Sequence, residues 1–396
     1  MSAVVNGRCM ENGRKRVLIF CDYYLPGYKA GGPIRTLANI VDQLGDEFRF
    51  KVMTRNNDLG EREAYPGIVP DSWSRIGRAE VCHLAPSSRT LLALKRWIRA
   101  TGHDALYLNS LFSYTFSIKP LLLRRLGLIP RAPVILATRG ELSPGAVALK
   151  GFKKRLYLMV ARALGLYRDV TWHASSEYEA ADIRRWFGDR ISVKVAANLP
   201  ARVLNLNGQK ARSEKTPGHL KMIFLSRIDR KKNLVGALKI LREASGNIEF
   251  DIYGPLEDED YWAECQKVIE LLPPNIIARY RGSVEHEKSL AVLMEHDLFF
   301  MPTLGENFGH VIMEALLAGC PVLISDQTPW RELEDKGIGW DLPLSEADGF
   351  RSIIEKCAQM GTEEFSRRSA AARAYALGIA GDADALEQNR QLFQGE

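Results

Sequence analysis

No apolar run in this sequence reaches 18 residues; the longest, around PLLLRRLGLIP and APVILAT, are interrupted by Arg, Pro or Gly. No membrane-spanning helix is therefore expected. None of the six cysteines (9, 21, 82, 265, 320, 357) forms a C-x-x-C pair. That scatter fits neither a disulfide framework nor a zinc site, and it predicts reduced thiols in the core. The opening MSAVVNGRCMENGRKR lacks the apolar stretch of a secretory signal, so a cytoplasmic location is expected. Internal repeats and low-complexity tracts are missing as well. His103, His173 and His310 fall into no metal-ligand spacing and read as structural or peripheral. Acidic residues are scarce in the first half. Residues 1–200 hold 31 Lys+Arg against 17 Asp+Glu, whereas the remainder holds 23 against 31. A basic half points to an anionic partner. Nucleic acid, a phospholipid surface and a pyrophosphate-linked substrate satisfy that charge equally, but no RNA-binding motif accompanies it, so nucleic acid ranks last.

What is present is an ordinary globular composition, 46% hydrophobic and 26% charged, in a 396-residue chain too long for one core. Two domains are the expectation. RVLIFC (16–21), FKVM (50–53), ALYL (105–108), PVILAT (133–138) and VTWHAS (170–175) read as buried strands. Helical patterns at 34–44, 91–100 and 178–187 separate them. Near-continuously apolar strands alternating with helices indicate a parallel, doubly wound α/β sheet. Residues 201–218, ARVLNLNGQKARSEKTPG, carry little apolar periodicity and read as a linker. The alternation resumes with KMIFLS (221–226), IEFDIY (248–253), LFFM (298–301) and PVLIS (321–325). The predicted organisation is a first Rossmann-like domain over 1–200, a linker over 201–218 and a second over 219–396. A C-terminal helix around 375–396 can pack back on the first domain. Ligands of such sheets bind beyond the carboxyl ends of the strands, which places the expected site in a cleft between the two domains.

The stretch GENFGHVIMEAL (305–316) carries the sharpest chemistry. Glu306 and Glu314 flank a segment that is otherwise apolar or small after Val311. A helix apolar all round is buried, and a buried carboxylate needs a partner to offset its desolvation. Vicinal hydroxyls of a ribose and of a sugar are suitable donors. Upstream, strand KMIFLS runs into Arg227-Ile228-Asp229-Arg230-Lys231-Lys232-Asn233. Cations at a strand–helix junction can neutralise a departing diphosphate. Near the start, Gly31-Gly32 allow close backbone approach to a phosphate, and Pro33 suits a first helical turn.

These residues together resemble the retaining GT-B glycosyltransferases of family 4. Glu306-Asn307-Phe308-Gly309 followed by Glu314-Ala315-Leu316 is similar to the family's E-x7-E signature, and Arg227 to Lys232 to its G-R-L-x-x-x-K-G segment, with Ser226 and Asn233 standing where glycines are usual. The resemblance implies a GT-B fold, two Rossmann-like domains facing across an interdomain cleft. It further implies that Glu306 contacts the transferred sugar, Glu314 the nucleotide ribose, and Arg227 and Lys232 the diphosphate. Asn307, Phe308 and Gly309 would lie on the donor side with Gly31 and Gly32. IYGPLE (252–257) and RGSVEHE (281–287) resemble turns lining the nucleobase pocket, which brings in Gly254, Gly282, Ser283 and Val284. Ser175-Ser176-Glu177 and Asn198 match weaker landmarks of the first domain.

One departure concerns the acceptor side. Many relatives carry a His after the strand equivalent to PVILAT, where this chain has Arg139-Gly140-Glu141-Leu142-Ser143-Pro144-Gly145. Arg139 stays protonated and cannot act as a base. It can bind phosphate while Glu141 contacts acceptor hydroxyls; the competing reading is a structural loop in which the two pair. Residues 150–168, KGFKKRLYLMVARALGLYR, are basic and amphipathic, compatible with an anionic membrane surface or with a solvated helix face.

The expected function is retaining transfer of a sugar from a nucleoside-diphosphate sugar to a hydroxyl of a lipid-linked or polysaccharide acceptor. Glycan or lipid-diphosphate acceptors and peripheral contact with an anionic membrane are the expected partners, without nucleic acid, at the inner face of the cytoplasmic membrane. Neither cofactor nor metal is required. Two alternatives stand beside it. Asp258-Glu259-Asp260 has the letters of a metal-binding D-x-D, although carboxylates there also suit a helix N-terminus. A nucleotide-sugar-binding scaffold without turnover is the other.

Overall fold

The computed structural model describes residues 13–143, 146–147, 151–202 and 215–395. Cys9, Pro144, Gly145, Lys150 and residues 203–214 of the expected linker lie outside the described residues. The chain divides into two compact units, Met1–Arg202 with Ala383–Glu396, and Val203–Asp382. Each contains one sheet.

The first unit holds eight strands: β1 (Lys15–Phe20), β2 (Phe48–Arg55), β3 (Trp73–Ile76), β4 (Ala79–Leu84), β5 (Ala105–Asn109), β6 (Val134–Ala137), β7 (Val170–Ala174) and β8 (Ser192–Val195). Their order is β3-β4-β2-β1-β5-β6-β7-β8. All pairings are parallel except β3 with β4, a short antiparallel edge that periodicity did not reveal. Side chains of β1 alternate between two cores. Leu18 and Phe20 join Leu94, Leu121 and Leu158 on one face, while Val17 and Ile19 join Leu37, Phe50 and Phe393 on the other. A strand covered on both faces has no polar face, which is why RVLIFC reads as unbroken.

The second face is closed from far along the chain. Helix Ala383–Gln394 sets Phe393 edge-on against Phe48, Phe50 and Tyr107, with centroids 5.6, 5.7 and 5.2 Å away. Asn389 donates to the Ala197 carbonyl at 2.7 Å and fixes the helix to the segment after β8.

The second unit is an all-parallel six-stranded sheet of β9 (His219–Leu225), β10 (Asn247–Tyr253), β11 (Ile276–Tyr280), β12 (Leu298–Met301), β13 (Val322–Ser325) and β14 (Gly339–Leu342). Its order is β11-β10-β9-β12-β13-β14. Winding reverses between β9 and β12, so the carboxyl ends of those two strands flank the switch point, where ligands of open α/β sheets bind. Both end in loops that the sequence marked. Strands β4, β8, β11 and β14 were not anticipated. In β8 and β11 the burial is partial and the apolar runs are short.

The five described cysteines are all free and buried, as core thiols should be. No helix among the described residues is long and apolar enough to cross a membrane.

Candidate active site

The chain leaves β9 at Leu225 and does not turn at once. Ser226 N–H donates to Tyr253 O at 3.0 Å and Ile228 N–H to Pro255 O at 2.9 Å, extending the pairing beyond β9 and β10. Buried Ile228 anchors this extension. Gly254 permits it. A Cβ there would sit 1.8 Å from the Ser226 carbonyl oxygen, and the backbone has φ 144°. The glycine thus serves close backbone packing. Gly282, at φ 80°, accepts from the Gly254 N–H at 2.9 Å and brings the turn Gly282-Ser283-Val284 alongside.

Asp229 then caps a single 3-10 turn, Arg230–Lys232, its Oδ1 accepting from the Lys232 N–H at 3.1 Å. Asn233 follows in the left-handed region with φ 58°, and its side chain donates to the Pro302 carbonyl at 2.8 Å. Asn tolerates that conformation better than most residues with a Cβ, which accounts for its place at a glycine position. This geometry turns Lys232 inward. Its ammonium contacts Glu306 Oε1, and the two side chains are only 9% and 14% exposed.

Glu306 is positioned from the other loop. After β12, Thr303 donates its hydroxyl to Lys231 O at 3.0 Å, and Leu304 N–H donates to the same oxygen at 2.8 Å. Glu306 N–H donates to Gln327 O at 2.9 Å. The loops after β9 and β12 are therefore stitched by backbone, and the Lys232–Glu306 contact follows from that register. Arg227 is held by Glu257, whose two oxygens both lie 2.8 Å from its Nη1, with Asp229 at 3.6 Å. Burial is the main reason the Lys232 ammonium is depressed to about 7, with Arg227 and Lys231 adding repulsion. Burial, with repulsion from Asp229, leaves the Glu257 carboxyl above its usual range, although the Arg227 guanidinium pulls it the other way.

Glu314 occupies a different environment from the one expected. Helix His310–Leu317 buries Ile312, Met313, Ala315, Leu316 and Leu317, leaving Val311 and Glu314 on its less buried side, one turn apart. The carboxylate is 21% exposed and partnered. Ser289 donates to Oε2 at 3.0 Å and His286 Nδ1 lies 3.5 Å from Oε1. Both partners come from helix His286–Met294, which follows the Gly282 turn. Gly309 starts the Glu314 helix at φ 78°, and Trp330 Nε1 fixes the preceding loop by donating to Phe308 O at 2.5 Å.

Asp258 does not stand free for a metal. It caps helix Glu259–Ile269 by accepting from Tyr261 N–H at 2.8 Å, and it faces Arg230 at 3.4 Å. In the first unit Gly31 caps helix Gly32–Leu44 with φ 69°. The tight loop before it is tethered by Asp58, whose Oδ2 accepts from Tyr28 and Lys29 N–H at 2.9 and 3.2 Å.

Arg139 and Glu141 form no ion pair with each other among the described residues. Arg139, in the left-handed region at φ 54°, donates to Asn109 at 2.6 Å, Tyr107 Oη at 2.7 Å and Asn198 at 3.2 Å. Tyr107 passes its proton side to His173 Nδ1 at 2.7 Å, and His173 Nε2 donates to Ala196 O at 2.9 Å. Burial, then the Arg139 charge, depresses His173 to about 4 and keeps it neutral. Glu141 accepts from Ser110 Oγ at 2.7 Å and from Leu111 N–H at 2.5 Å; burial raises its pKa. A third carboxylate, Glu179, binds Thr138 Oγ1 and the Gly140 N–H, each at 2.6 Å, and the Ser175 N–H and Oγ at 2.8 and 2.7 Å. Ser176 caps helix Glu177–Phe187.

In the second unit Arg227, Lys232 and Glu306 thus converge, with Glu314 on the helix that follows Glu306. Sequence reasoning missed Asp229, Glu257, His286 and Ser289. Only Asp229 left a trace, an acidic residue three before Lys232 at the start of a turn. Glu257, His286 and Ser289 act across loops and leave no local signal.

Comparison with known proteins bears on this arrangement. The chain superposes on sucrose-phosphate synthase from Thermosynechococcus elongatus with a TM-score of 0.73 at 15% identity, covering 96% of this chain and 98% of that one. HepE from Anabaena, solved with UDP and glucose, gives 0.68 at 18% identity over 96% and 99%. The fold is that of the GT-B glycosyltransferases. Residues 208–372 match the family model of glycosyl transferases group 1, which supports a glycosyltransferase. An uncharacterized 41.2 kDa protein in the cps region of Klebsiella pneumoniae is 24% identical over 306 residues, 72% of this chain and 79% of that protein. The matched family segment includes every residue of the Arg227–Lys232–Glu306–Glu314 constellation.

Proposed function

We propose that this GT-B protein transfers a sugar, with retention, from a nucleoside-diphosphate sugar to a hydroxyl of a lipid-linked or polysaccharide acceptor. The observation that carries the proposal is the buried Lys232 ammonium against Glu306, with Arg227 on the same loop, at the carboxyl ends of β9 and β12. In this reading the bond between the anomeric carbon and the diphosphate breaks with its electron pair going to the phosphate oxygen. Arg227 and Lys232 stabilise the charge that develops there. The acceptor oxygen bonds to the anomeric carbon on the same face, and its proton passes to the departing phosphate. No side-chain base is required, which agrees with Arg139 standing where relatives carry His. Glu306 binds sugar hydroxyls, and Glu314, poised by Ser289 and His286, binds the ribose. Gly254, Gly282, Ser283 and Val284 border the base; Asn307, Phe308 and Gly309 shape the sugar pocket.

The reaction is proposed to need no metal, because Asp258 is engaged as a helix cap and by Arg230. Arg139 and Glu141 support the acceptor side through the hydrogen-bond framework of the first unit. The acceptor would be met at the inner face of the cytoplasmic membrane, consistent with the basic first half of the chain. HepE was solved with UDP and glucose, which makes UDP-sugars the first donors to try. Thermal-shift screening of UDP-, GDP- and ADP-sugars, followed by donor hydrolysis in EDTA, tests the reading. Stabilisation by one nucleotide sugar with EDTA-insensitive turnover is expected. Stabilisation without turnover would leave a binding scaffold, and abolition by EDTA would restore the metal-dependent mechanism.

A further inference from the structure

In the first sheet the winding reverses between β1 and β5, so its switch point lies at the carboxyl ends of those two strands. Side chains from four strand ends meet there. Arg55, the last residue of β2, places Nη2 and Nε 2.6 and 3.0 Å from Oδ1 of Asp22, which follows β1. Its guanidinium lies 5.6 Å from the Tyr23 ring and 5.9 Å from the ring of Phe116, in the segment after β5. Arg89, after β4, donates Nη2 to the side-chain oxygens of Asn56 and Asn57 and Nε to Leu84 O at 2.9 Å. Lys119 opens helix Lys119–Arg125, donates to Arg89 O and stands 4.9 Å from the centre of the Tyr114 ring.

Other acids of these loops are spent on fixing the backbone. Asp58 accepts from the Tyr28, Lys29 and Leu59 N–H groups, and Asp71 from the Ala85 N–H and Ser88 Oγ. Glu141 accepts from Ser110, Leu111 and Phe112. Asp22 is left as the acid paired within the cluster. Among the described residues neither Arg89 nor Lys119 forms an ion pair; neutral amides and carbonyls hold them in place. Burial lowers the pKa of both, and repulsion from Arg55 adds to it at Arg89. Partly buried cations of this kind repel one another until an anion enters among them. The donor diphosphate is already assigned to Arg227 and Lys232 of the second unit, which leaves these cations for the acceptor.

We infer that Arg55, Arg89 and Lys119 form a phosphate subsite of the first unit, which holds a phosphate ester of the acceptor. This rests on the transferase reading and narrows its acceptor to a phosphorylated glycan or a lipid diphosphate, excluding a neutral polysaccharide. Three cations against Asp22 leave two positive charges in excess. A phosphate monoester carries close to two negative charges at neutral pH, whereas a carboxylate carries one. Two guanidiniums supply forked donors that match phosphate oxygens, and the ammonium supplies a point charge. Tyr114, 67% exposed beside Lys119, adds apolar surface for the group that bears the phosphate.

The test is isothermal titration calorimetry of the full chain, its second unit saturated with the nucleoside diphosphate that the donor screen selects. Mannose 6-phosphate, geranyl diphosphate, mannose and glucuronate are the probes. Both phosphates should bind, more weakly as salt is added, at concentrations where mannose and glucuronate do not. Tighter binding of mannose 6-phosphate makes the source a phosphorylated glycan; tighter binding of geranyl diphosphate makes it a lipid-linked acceptor. Arg89→Gln/Lys119→Gln should raise both Kd values on the order of 10–100-fold and leave nucleotide-sugar stabilisation unchanged. Lys119→Gln alone should raise them several-fold and keeps the test readable if the double variant folds poorly. Lys232→Ala should leave them unchanged. Wild-type protein that binds neither phosphate, or glucuronate as tightly, overturns the assignment. So do phosphate affinities that survive Lys119→Gln, or that disappear with Lys232→Ala, which would place the phosphate in the donor site. If a nucleotide sugar stabilises the wild type and the phosphates do not bind, only this subsite fails; if no nucleotide sugar stabilises it, the transferase reading fails.

Discussion

Donor binding should take up a proton, and Lys232 should be where it goes. Burial, with repulsion from Arg227 and Lys231, holds this ammonium near 7 in the ligand-free protein. At pH 7.5 about three quarters of the molecules then carry it neutral. A diphosphate against Nζ adds negative charge and restores the proton. About 0.75 proton should therefore be absorbed per donor bound at pH 7.5. The sign fixes the pH profile: affinity is flat below pH 7 and falls about tenfold per unit above it, approaching 100-fold by pH 9. Stability moves oppositely. The folded group loses its proton before the unfolded one does, so its contribution to stability rises from about pH 7 to the ordinary lysine value. Isothermal titration calorimetry in buffers of different ionisation enthalpy counts the protons directly. Lys232→Arg supplies the control, because a guanidinium stays charged throughout. Uptake near zero at pH 7.5, or uptake that survives Lys232→Arg, would refute the assignment to this lysine.

Glu306→Gln should reduce kcat on the order of 10²–10³-fold, the usual scale for a group acting on transition-state charge; near-wild-type turnover would remove Glu306 from the reaction. Glu314→Ala should raise the donor Kd, leaving kcat within a few-fold. A kcat loss equal to that of Glu306→Gln would contradict the division of roles. Phe393→Ala empties the space against Phe48, Phe50 and Tyr107 and should destabilise the first unit by about 3–5 kcal/mol. Denaturant unfolding followed by a first-unit probe measures it, and a loss below 1 kcal/mol would mean that the C-terminal helix is dispensable there.

Legibility of the sequence tracked burial. Strands β1, β5, β9 and β12 are flanked on both faces and spell themselves out in apolar residues; LFFM coincides with β12 residue for residue. Strand β11 is half-exposed and its pattern IIARY has no clear period, so nothing marked it. The same logic separates the site residues. Glu306 and Lys232 sit in motifs whose spacing is local, whereas their contact is set by two bonds that the Lys231 carbonyl accepts, from the Thr303 hydroxyl and the Leu304 N–H. The competing reading, in which Arg139 and Glu141 pair with each other, gives way to two separate frameworks. Arg139 bonds Tyr107 and Asn109 of β5 and Asn198 after β8, Glu141 bonds the loop after β5, and only the fold brings those together.

The two glutamates of GENFGHVIMEAL now differ for a physical reason. Around Glu306 the charged groups nearly cancel: Arg227, Lys231 and Lys232 against Asp229, Glu257 and Glu306. A dianionic diphosphate entering such a cluster meets three carboxylates as well as three cations. With Lys232 half deprotonated the cluster is already slightly negative, so binding is favourable only if positive charge is added or carboxylates are moved away. The proton on Lys232 adds it. Transfer of Glu306 from the ammonium to sugar hydroxyls removes a competitor at the same step, since one cation cannot serve both anions equally in a poorly hydrated pocket. Glu314 faces no such exchange, because Ser289 and His286 are compatible with a carboxylate that also accepts from a ribose. Donor recognition at Glu314 is therefore additive to a preformed hydrogen-bond set, whereas recognition at Glu306 is a replacement coupled to protonation of its partner.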